Sequence, residues 1–378
     1  MSKRGQNEGS IYKRNDGRWV AVVNLGYQNG RRGRKSFYGD TRREVQERLT
    51  QVLRDQQQGL PVATERQTVG QFLQNWLIES VKPAVRPMSY IRYEQLVRIH
   101  LSPALGKIPL QKLAPQHVQA LLNQKLAEGL SPRTVQYVRA TLRFALNQAL
   151  RWGLVARNAA ALVDSPQVKR PEIGILDVDQ ARKLLESVKG HRLEALYSVA
   201  LALGLRQGEA LALRWQDVNF ENQTLRVTAA LQRIDGRLQF VEPKTSQSRR
   251  TINLPAVIVT ALREHRIRQL EEKLFAGSRW QESGLLFTSS IGTPLDGCNV
   301  TKGFQKMLER AGLPKIRFHD LRHTCASLLL AQGVHPRAIM ETLGHSQISL
   351  TMNTYSHVMP AIRKEVADRM DEILTGVK

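Results

Sequence analysis

His319 and Arg322 stand three residues apart in Arg-Phe-His-Asp-Leu-Arg-His-Thr, residues 317 to 324. On a helix that spacing puts both on one face, so an imidazole and a guanidinium point the same way. Arginine offers a rigid fork that fits phosphate oxygens, and histidine moves a proton near neutral pH. Together they describe a phosphate site with a proton-transfer group beside it. His345 follows in Leu-Gly-His-Ser, and Tyr355 lies ten residues further on, in Thr-Met-Asn-Thr-Tyr-Ser-His. A tyrosine hydroxyl positioned at such a site can act as a covalent nucleophile. Two cations upstream extend the set. Arg206 sits in Gly-Leu-Arg-Gln-Gly-Glu-Ala-Leu, between an apolar helical run, Leu193 to Leu205, and a helix expected to begin near Glu209. Glycines on both sides suit a tight turn that presents the guanidinium. Lys244 sits in a polar turn between strand-like Arg237 to Val241 and Thr251 to Leu254.

Each of these residues also has an ordinary reading. Arg206 alone could be a helix-end cation, Lys244 a turn lysine and Tyr355 a half-buried tyrosine. Glu209 is either a helix-start acid favoured by the dipole or an acid that orients His319 or Arg206. His319 and His323 form an i, i+4 pair that invites comparison with the zinc-protease motif His-Glu-x-x-His. Here Asp320 stands where that motif needs Glu, and Arg322 would place a cation beside the metal, so a metal site is not expected. His323 is read instead as a supporting or packing histidine, and Cys325 as part of the core.

Arg206, Lys244, His319-x-x-Arg322, His345 and Tyr355, in this order, resemble the catalytic set of the tyrosine recombinases, the phage integrase family. The resemblance runs from about residue 172 to 360, and nothing in the set departs from the family's pattern. It implies that Tyr355 attacks a scissile DNA phosphate, forming a 3′-phosphotyrosyl bond and releasing a 5′-hydroxyl. Phosphoryl transfer builds charge on the phosphate oxygens, and Arg206, Arg322 and His345 are the implied donors that stabilise it without a metal. His319 manages the tyrosine proton and Lys244 protonates the leaving oxygen. The phosphoester stores the bond energy, so no cofactor is expected.

The elements that must position these groups belong to a strongly basic chain. Its 378 residues carry 56 Lys and Arg against 33 Asp and Glu, a formal charge of +23. That surplus suits a polyanion such as double-stranded DNA, with a membrane surface as the weaker reading. No apolar run approaches the roughly 20 residues of a spanning helix, Met1 to Ser10 lacks a signal-peptide core, and Cys298 and Cys325 lack metal-ligand spacing. A DNA-associated protein of a bacterial cytoplasm, with reduced thiols, is expected. Residues 1–60 hold 13 basic and 6 acidic side chains, residues 61–170 hold 15 and 5, and the remainder 28 and 22. The excess is therefore densest ahead of the chemistry.

The expected fold is multi-domain, mainly α with small β-sheets. Residues 1–60 read as a three-stranded sheet (Ser10 to Lys13, Trp19 to Tyr27, Arg34 to Tyr38) with turns at Asn15-Asp16-Gly17 and Gln28-Asn29-Gly30. A helix from Thr41 to Gln57 follows, its apolar stripe made by Val45, Leu49, Val52 and Leu53. Arg31, Arg32, Arg34 and Lys35 at one hairpin could enter a DNA groove, and the region resembles the arm-binding domain of many integrases. The bland alternative is a small domain with solvated charges.

Residues 61–165 read as four helices. Their stripes are Val69, Phe72, Leu73, Trp76 and Leu77; then Tyr90, Tyr93, Leu96 and Val97; then Val118, Leu121, Leu122 and Leu126; and, opened by Ser131-Pro132, Val135 through Ala149. The region resembles the family's SAM-like core-binding domain, with Arg92, Arg98, Arg133, Arg139 and Arg143 as candidate phosphate contacts. A linker is expected over Asp164 to Gly174. A mixed α/β catalytic domain then fills residues 172–378, with a helix capped by Asp177 and Gln180 and a three-stranded stretch from about Leu225 to Leu254. A trailing helix through Val358, Ile362, Val366, Met370 and Ile373 would pack in cis or on a neighbouring protomer.

Taken together these features resemble a mobile-element integrase acting on core and arm attachment sites as a homo-oligomer, a tetramer on DNA, with an accessory bending or directionality factor as a further partner. A type IB-like topoisomerase and a non-catalytic DNA-binding regulator are the alternatives. The arm-like domain and trailing helix argue against the first, and the retention of all six catalytic side chains against the second.

Overall fold

The structure, a computed structural model, describes residues 9–28, 31–57, 67–168, 174–242 and 249–344, together with Met370 and Leu374. It is mainly helical with small antiparallel sheets and divides into two compact units, Met1–Arg170 and Pro171–Lys378.

The first unit opens with β1 (Ser10–Lys13), β2 (Trp19–Gln28) and β3 (Arg31–Gly39) in the order β1-β2-β3, covered by α1 (Arg42–Gln57). Val45 and Leu49 of α1 bury against Ala21 and Val23, with Val52, Leu53, Ile11 and Phe37 packed around them. The pleat puts Tyr12, Val20 and Tyr38, which are register partners, on the opposite face, where both tyrosines are exposed.

Its helical part comprises α2 (Val69–Trp76), α3 (Pro87–Leu96), the short α4 (Ser102–Leu105), α5 (Pro115–Ala127) and α6 (Pro132–Arg151); α2 and α3 each continue through a wide turn, to Val81 and Leu101. Thr68 caps α2 in a reciprocal box with Gln71. Ser131 caps α6 by accepting a bond from the Thr134 N–H, and Pro132 fills the first helical position, where no amide donor is needed. Trp76 is buried among these helices and meets Tyr93 and Phe144 edge-on. Leu126, expected in the α5 stripe, is instead exposed. It lies in the last turn of α5, one residue before the helix ends at Ala127.

The second unit begins with α7 (Val178–Ser187), whose Asp177–Gln180 capping box is the one anticipated. Next come α8 (Glu194–Leu203), α9 (Gln207–Ala212), β4 (Val218–Asn219), β5 (Thr224–Val227), β6 (Ala230–Ile234), β7 (Arg237–Val241) and β8 (Arg250–Asn253). The helices α10 (Ala256–Ala276), α11 (Gly297–Arg310), α12 (Asp320–Ala331) and α13 (Pro336–Leu343) complete the described part. The stretch from 225 to 254 is not one three-stranded sheet. β4, β5 and β8 form one sheet, while β6 and β7 form a separate hairpin. Asp235 and Gly236, both at positive φ, close that hairpin on itself and leave β5 to pair with β8.

Helix α8 is apolar on nearly every side and forms the centre of the second core, with Leu196, Tyr197, Val199 and Leu203 all buried. It is shorter than the apolar run suggested, because Gly204 adopts the left-handed conformation and stops it.

Candidate active site

Gly204 organises the site. Its backbone turns at φ 57° and ψ 35°, ending α8 two residues before Arg206. The Gly204 carbonyl accepts a 2.9 Å bond from Arg322 Nη1, joining residues 118 positions apart in sequence. A Cβ here would stand 2.3 Å from Leu343 Cδ2 and 3.3 Å from the Cys325 side chain, so only glycine lets the ends of α8 and α13 meet over α12.

Arg322 lies in the first turn of α12 and is 1% exposed. His319 stands at the N-cap of the same helix, solvent-facing on one side. Asp320, buried beside it, accepts bonds from the Arg317 backbone N–H at 2.7 Å and from Arg317 Nη2 at 2.8 Å, which fixes the start of the helix. The His319 and His323 rings meet edge to face, centroids 5.3 Å apart. Desolvation, reinforced by His323 and Arg322, pulls His319 down to about 4. Water at its open side screens part of that effect, but the direction leaves the imidazole neutral at pH 7 and able to accept a proton. His323 is lowered as well, first by burial.

Arg206 forms the N-cap of α9, one turn before Glu209. Glu209 accepts the Arg206 backbone N–H at 3.2 Å and the Arg206 Nη1 at 2.7 Å, so one carboxylate serves both as helix-start acceptor and as the group that aims the guanidinium. Arg206 Nη2 then donates to the Gly344 carbonyl at 3.2 Å. Burial pushes the Glu209 carboxyl up, but the Arg250 and Arg206 guanidiniums outweigh it and hold the group below its usual range.

Arg250 is the member that the sequence reading did not single out. Its side chain is 7% exposed; Nη2 donates to Glu209 Oε2 at 3.2 Å and Nε to the Thr342 carbonyl at 2.7 Å. The signal was present in the strand alternation. Arg250 shares a face with Ile252 and Leu254, both buried, while Thr251 and Asn253 are exposed. An arginine on the inward face of a strand requires a partner.

Arg206, Glu209, His319, Arg322 and His323 thus occupy one unit, and Arg206 and Arg322 are tied to the same short turn. Lys244, His345 and Tyr355 lie outside the described residues, as does most of the segment containing Val358, Ile362, Val366 and Ile373. Met370 is helical and exposed.

The basic residues of the first unit separate into distinct settings. Arg34 is exposed on the outer face of the sheet, but Lys35 points the other way, its ammonium 5.6 Å from the centre of the Phe37 ring. The pleat divides a pair that adjacency had grouped. The side chains of Arg31 and Arg32, at the start of β3, lie outside the described set. Arg92 on α3 and Arg133 on α6 both cover the Tyr137 ring, at 4.0 and 5.0 Å. Arg98 is paired with Glu94 at 2.8 Å, Arg139 is half-buried and Arg143 is exposed.

A basic first unit followed by a second unit that gathers guanidiniums and an imidazole has the features of a DNA strand-transferring enzyme. Comparison with known proteins gives the family. Residues 175–361 match the phage integrase family, and residues 68–126 match the N-terminal SAM-like domain of phage integrases. A tyrosine recombinase XerC-like protein of Caldanaerobacter subterraneus is 33% identical over 365 residues, covering 92% of this chain and 93% of that protein. Among solved structures, the Tn1549 transposon integrase in complex with a circular intermediate DNA superposes with a TM-score of 0.68 at 22% identity, over 79% of this chain and 99% of that one. A lambda integrase tetramer bound to a Holliday junction gives 0.57 at 17%, over 93% and 96%. The chain belongs to the tyrosine recombinase family of phage integrases.

Proposed function

We propose that this protein integrates or excises a mobile DNA element by cutting and rejoining double-stranded DNA at specific sites, with Arg206, Lys244, His319, Arg322, His345 and Tyr355 as its catalytic groups. The observation that carries the assignment is the Gly204 turn, which holds Arg322 by its carbonyl and launches Arg206 two residues later. Donors held in place by the fold stabilise the charge that develops on a phosphate; the Arg206 side chain, 39% exposed, is open to it, whereas Arg322 is buried and reaches it only when uncovered.

Tyr355 Oη attacks phosphorus and gives its proton to neutral His319. The bond from phosphorus to the 5′-oxygen breaks, and Lys244 protonates that oxygen as it departs. Attack by a 5′-hydroxyl on the 3′-phosphotyrosyl bond reverses the sequence and restores the tyrosine. Glu209 aims Arg206, and His323 packs against His319. The active assembly is a tetramer, in keeping with the lambda integrase tetramer on a Holliday junction.

In the first unit, residues 1–60 form the arm-site module and residues 61–165 the core-site module, ahead of the catalytic domain from residue 172. Arg92 and Arg133, stacked on Tyr137, are the core-module arginines best held to meet phosphate. Arg34 leads the outer face of the arm module.

The decisive test is incubation with attachment-site DNA followed by a denaturing gel. Wild-type protein is expected to give a covalent protein–DNA species, and Tyr355→Phe none, with core-site binding nearly intact. A covalent species from the Phe variant would identify another nucleophile.

A further inference from the structure

We infer that Arg250 is a positioning residue for strand cleavage: its guanidinium locks the Glu209 carboxylate that aims Arg206 and, through the Thr342 carbonyl, the end of α13, the helix that precedes His345 in the sequence. The inference rests on the assignment of Arg206 and His345 as phosphate donors.

Three observations support it. First, the last turn of any helix leaves carbonyls without intrahelical partners. In α13, the Thr342 carbonyl is taken by Arg250 Nε at 2.7 Å and the Gly344 carbonyl by Arg206 Nη2 at 3.2 Å. Two guanidiniums therefore grip the residues immediately before His345. Second, both draw on one carboxylate, with Glu209 Oε1 bound to Arg206 and Oε2 to Arg250. Glu209 and Arg250 are buried, whereas the Arg206 side chain is 39% exposed. The inner pair forms the base and the outer guanidinium remains available to substrate. Third, a Cβ on Gly344 would lie 2.9 Å from Arg250 Nη1 and 3.2 Å from Cζ. Gly344, at φ 68°, lacks the Cβ that would crowd this guanidinium.

Arg250 opens β8, six residues after Lys244 in sequence. One side chain thus links β8, through Glu209 the arginine at the start of α9, and the end of α13. A flat fork with several donors suits this arrangement, whereas a lysine ammonium reaches fewer acceptors in fixed directions.

The test compares Arg250→Lys and Arg250→Gln with wild type on two core-site duplexes. One carries an ordinary scissile phosphate. The other carries a methylphosphonate there, which is neutral and builds less charge on its oxygens. Arg250→Lys keeps a cation opposite Glu209 and so preserves the charge balance of the fold.

On the ordinary duplex we expect cleavage by Arg250→Lys to fall about 10²-fold, the scale of a small misplacement of a catalytic group, with DNA binding unchanged. On the methylphosphonate the defect should shrink to a few-fold, because misplaced charge donors matter less there. Arg206→Ala, run alongside, should show the same recovery. If Arg206→Ala is equally impaired on both duplexes, the donor assignment itself fails. If Arg206→Ala recovers but the Arg250 variants lose equally on both duplexes, or lose nothing, Arg250 serves the fold alone and the inference is overturned. A thermal melt showing lower stability without recovery on the neutral substrate has the same meaning.

Discussion

At Glu209, the contacts that tie the fold together are the ones proposed to aim Arg206. Its carboxylate is 4% exposed and faces an Arg250 that is 7% exposed. Removing one member of a buried pair leaves an uncompensated charge, at a cost of about 3–5 kcal/mol. Glu209→Ala should therefore lower the melting temperature by roughly 10 °C in a domain of this size; a shift below about 2 °C would show that water reaches Arg250. His319 makes a pH prediction. Its folded value is depressed below the ordinary 6.5, so the unfolded chain binds the proton first as pH falls. The stability contribution is fully present above 6.5 and is lost progressively toward 4. With the neutral imidazole as the proposed proton acceptor, the acid limb of cleavage at subsaturating DNA should lie below pH 6.5. A midpoint at or above 6.5 would remove His319 from that role. Lys244 is tested by leaving-group chemistry. Lys244→Ala should slow cleavage of ordinary DNA yet recover on a duplex whose bridging 5′-oxygen is sulfur, which departs without a proton. Equal defects on both would exclude it as the acid.

Among the elements, the α8–α9 turn has the least tolerance. Gly204 combines a left-handed backbone with an approach that leaves no room for a methyl group. Gly204→Ala should cost at least about 1–2 kcal/mol for the backbone alone, and more for displacing Leu343. Because the same carbonyl holds Arg322, cleavage should fall further than stability explains. Leu343→Ala in the same chain opens space for the new methyl and should restore part of the cleavage; absence of any recovery would mean that backbone strain, not crowding, dominates. The strands show how the chain builds its support. Asp235-Gly236 closes β6 and β7 into a private hairpin, which frees β8 to pair with β5 and turns Arg250 inward.

Across the whole molecule, the charge is densest in the two regions that precede the chemistry. Residues 1–60 carry 13 basic against 6 acidic side chains. A tethered second DNA module raises the effective concentration of the enzyme at a composite site without touching the scissile phosphate. Deleting residues 1–60 should spare cleavage of short core-site duplexes and reduce recombination of full sites. The salt dependence of binding to flanking sequence should also largely vanish, because the phosphate contacts proposed for residues 1–60 would leave with them. Loss of short-duplex cleavage in a folded truncation would place these residues in the catalytic clamp instead.

Local chemistry is what the sequence determined by itself. The Asp177–Gln180 and Ser131-Pro132 helix starts, the α1 stripe and the three-stranded sheet of the first unit depend on residues within a few positions of one another, and short-range sterics and hydrogen bonding decide them. The family followed from the order of six side chains. Tertiary structure alone decided the partners across long loops: Arg322 on the Gly204 carbonyl, Arg250 on Glu209 and Thr342, and the pairing of β5 with β8 past an intervening hairpin. Closing such long loops costs entropy that no local contact returns; the burial of α8 and of β5 and β8 in one core offsets it. The inward arginine could be read from the alternation of β8, but the carboxylate that answers it stands 41 residues away, where no local pattern reaches.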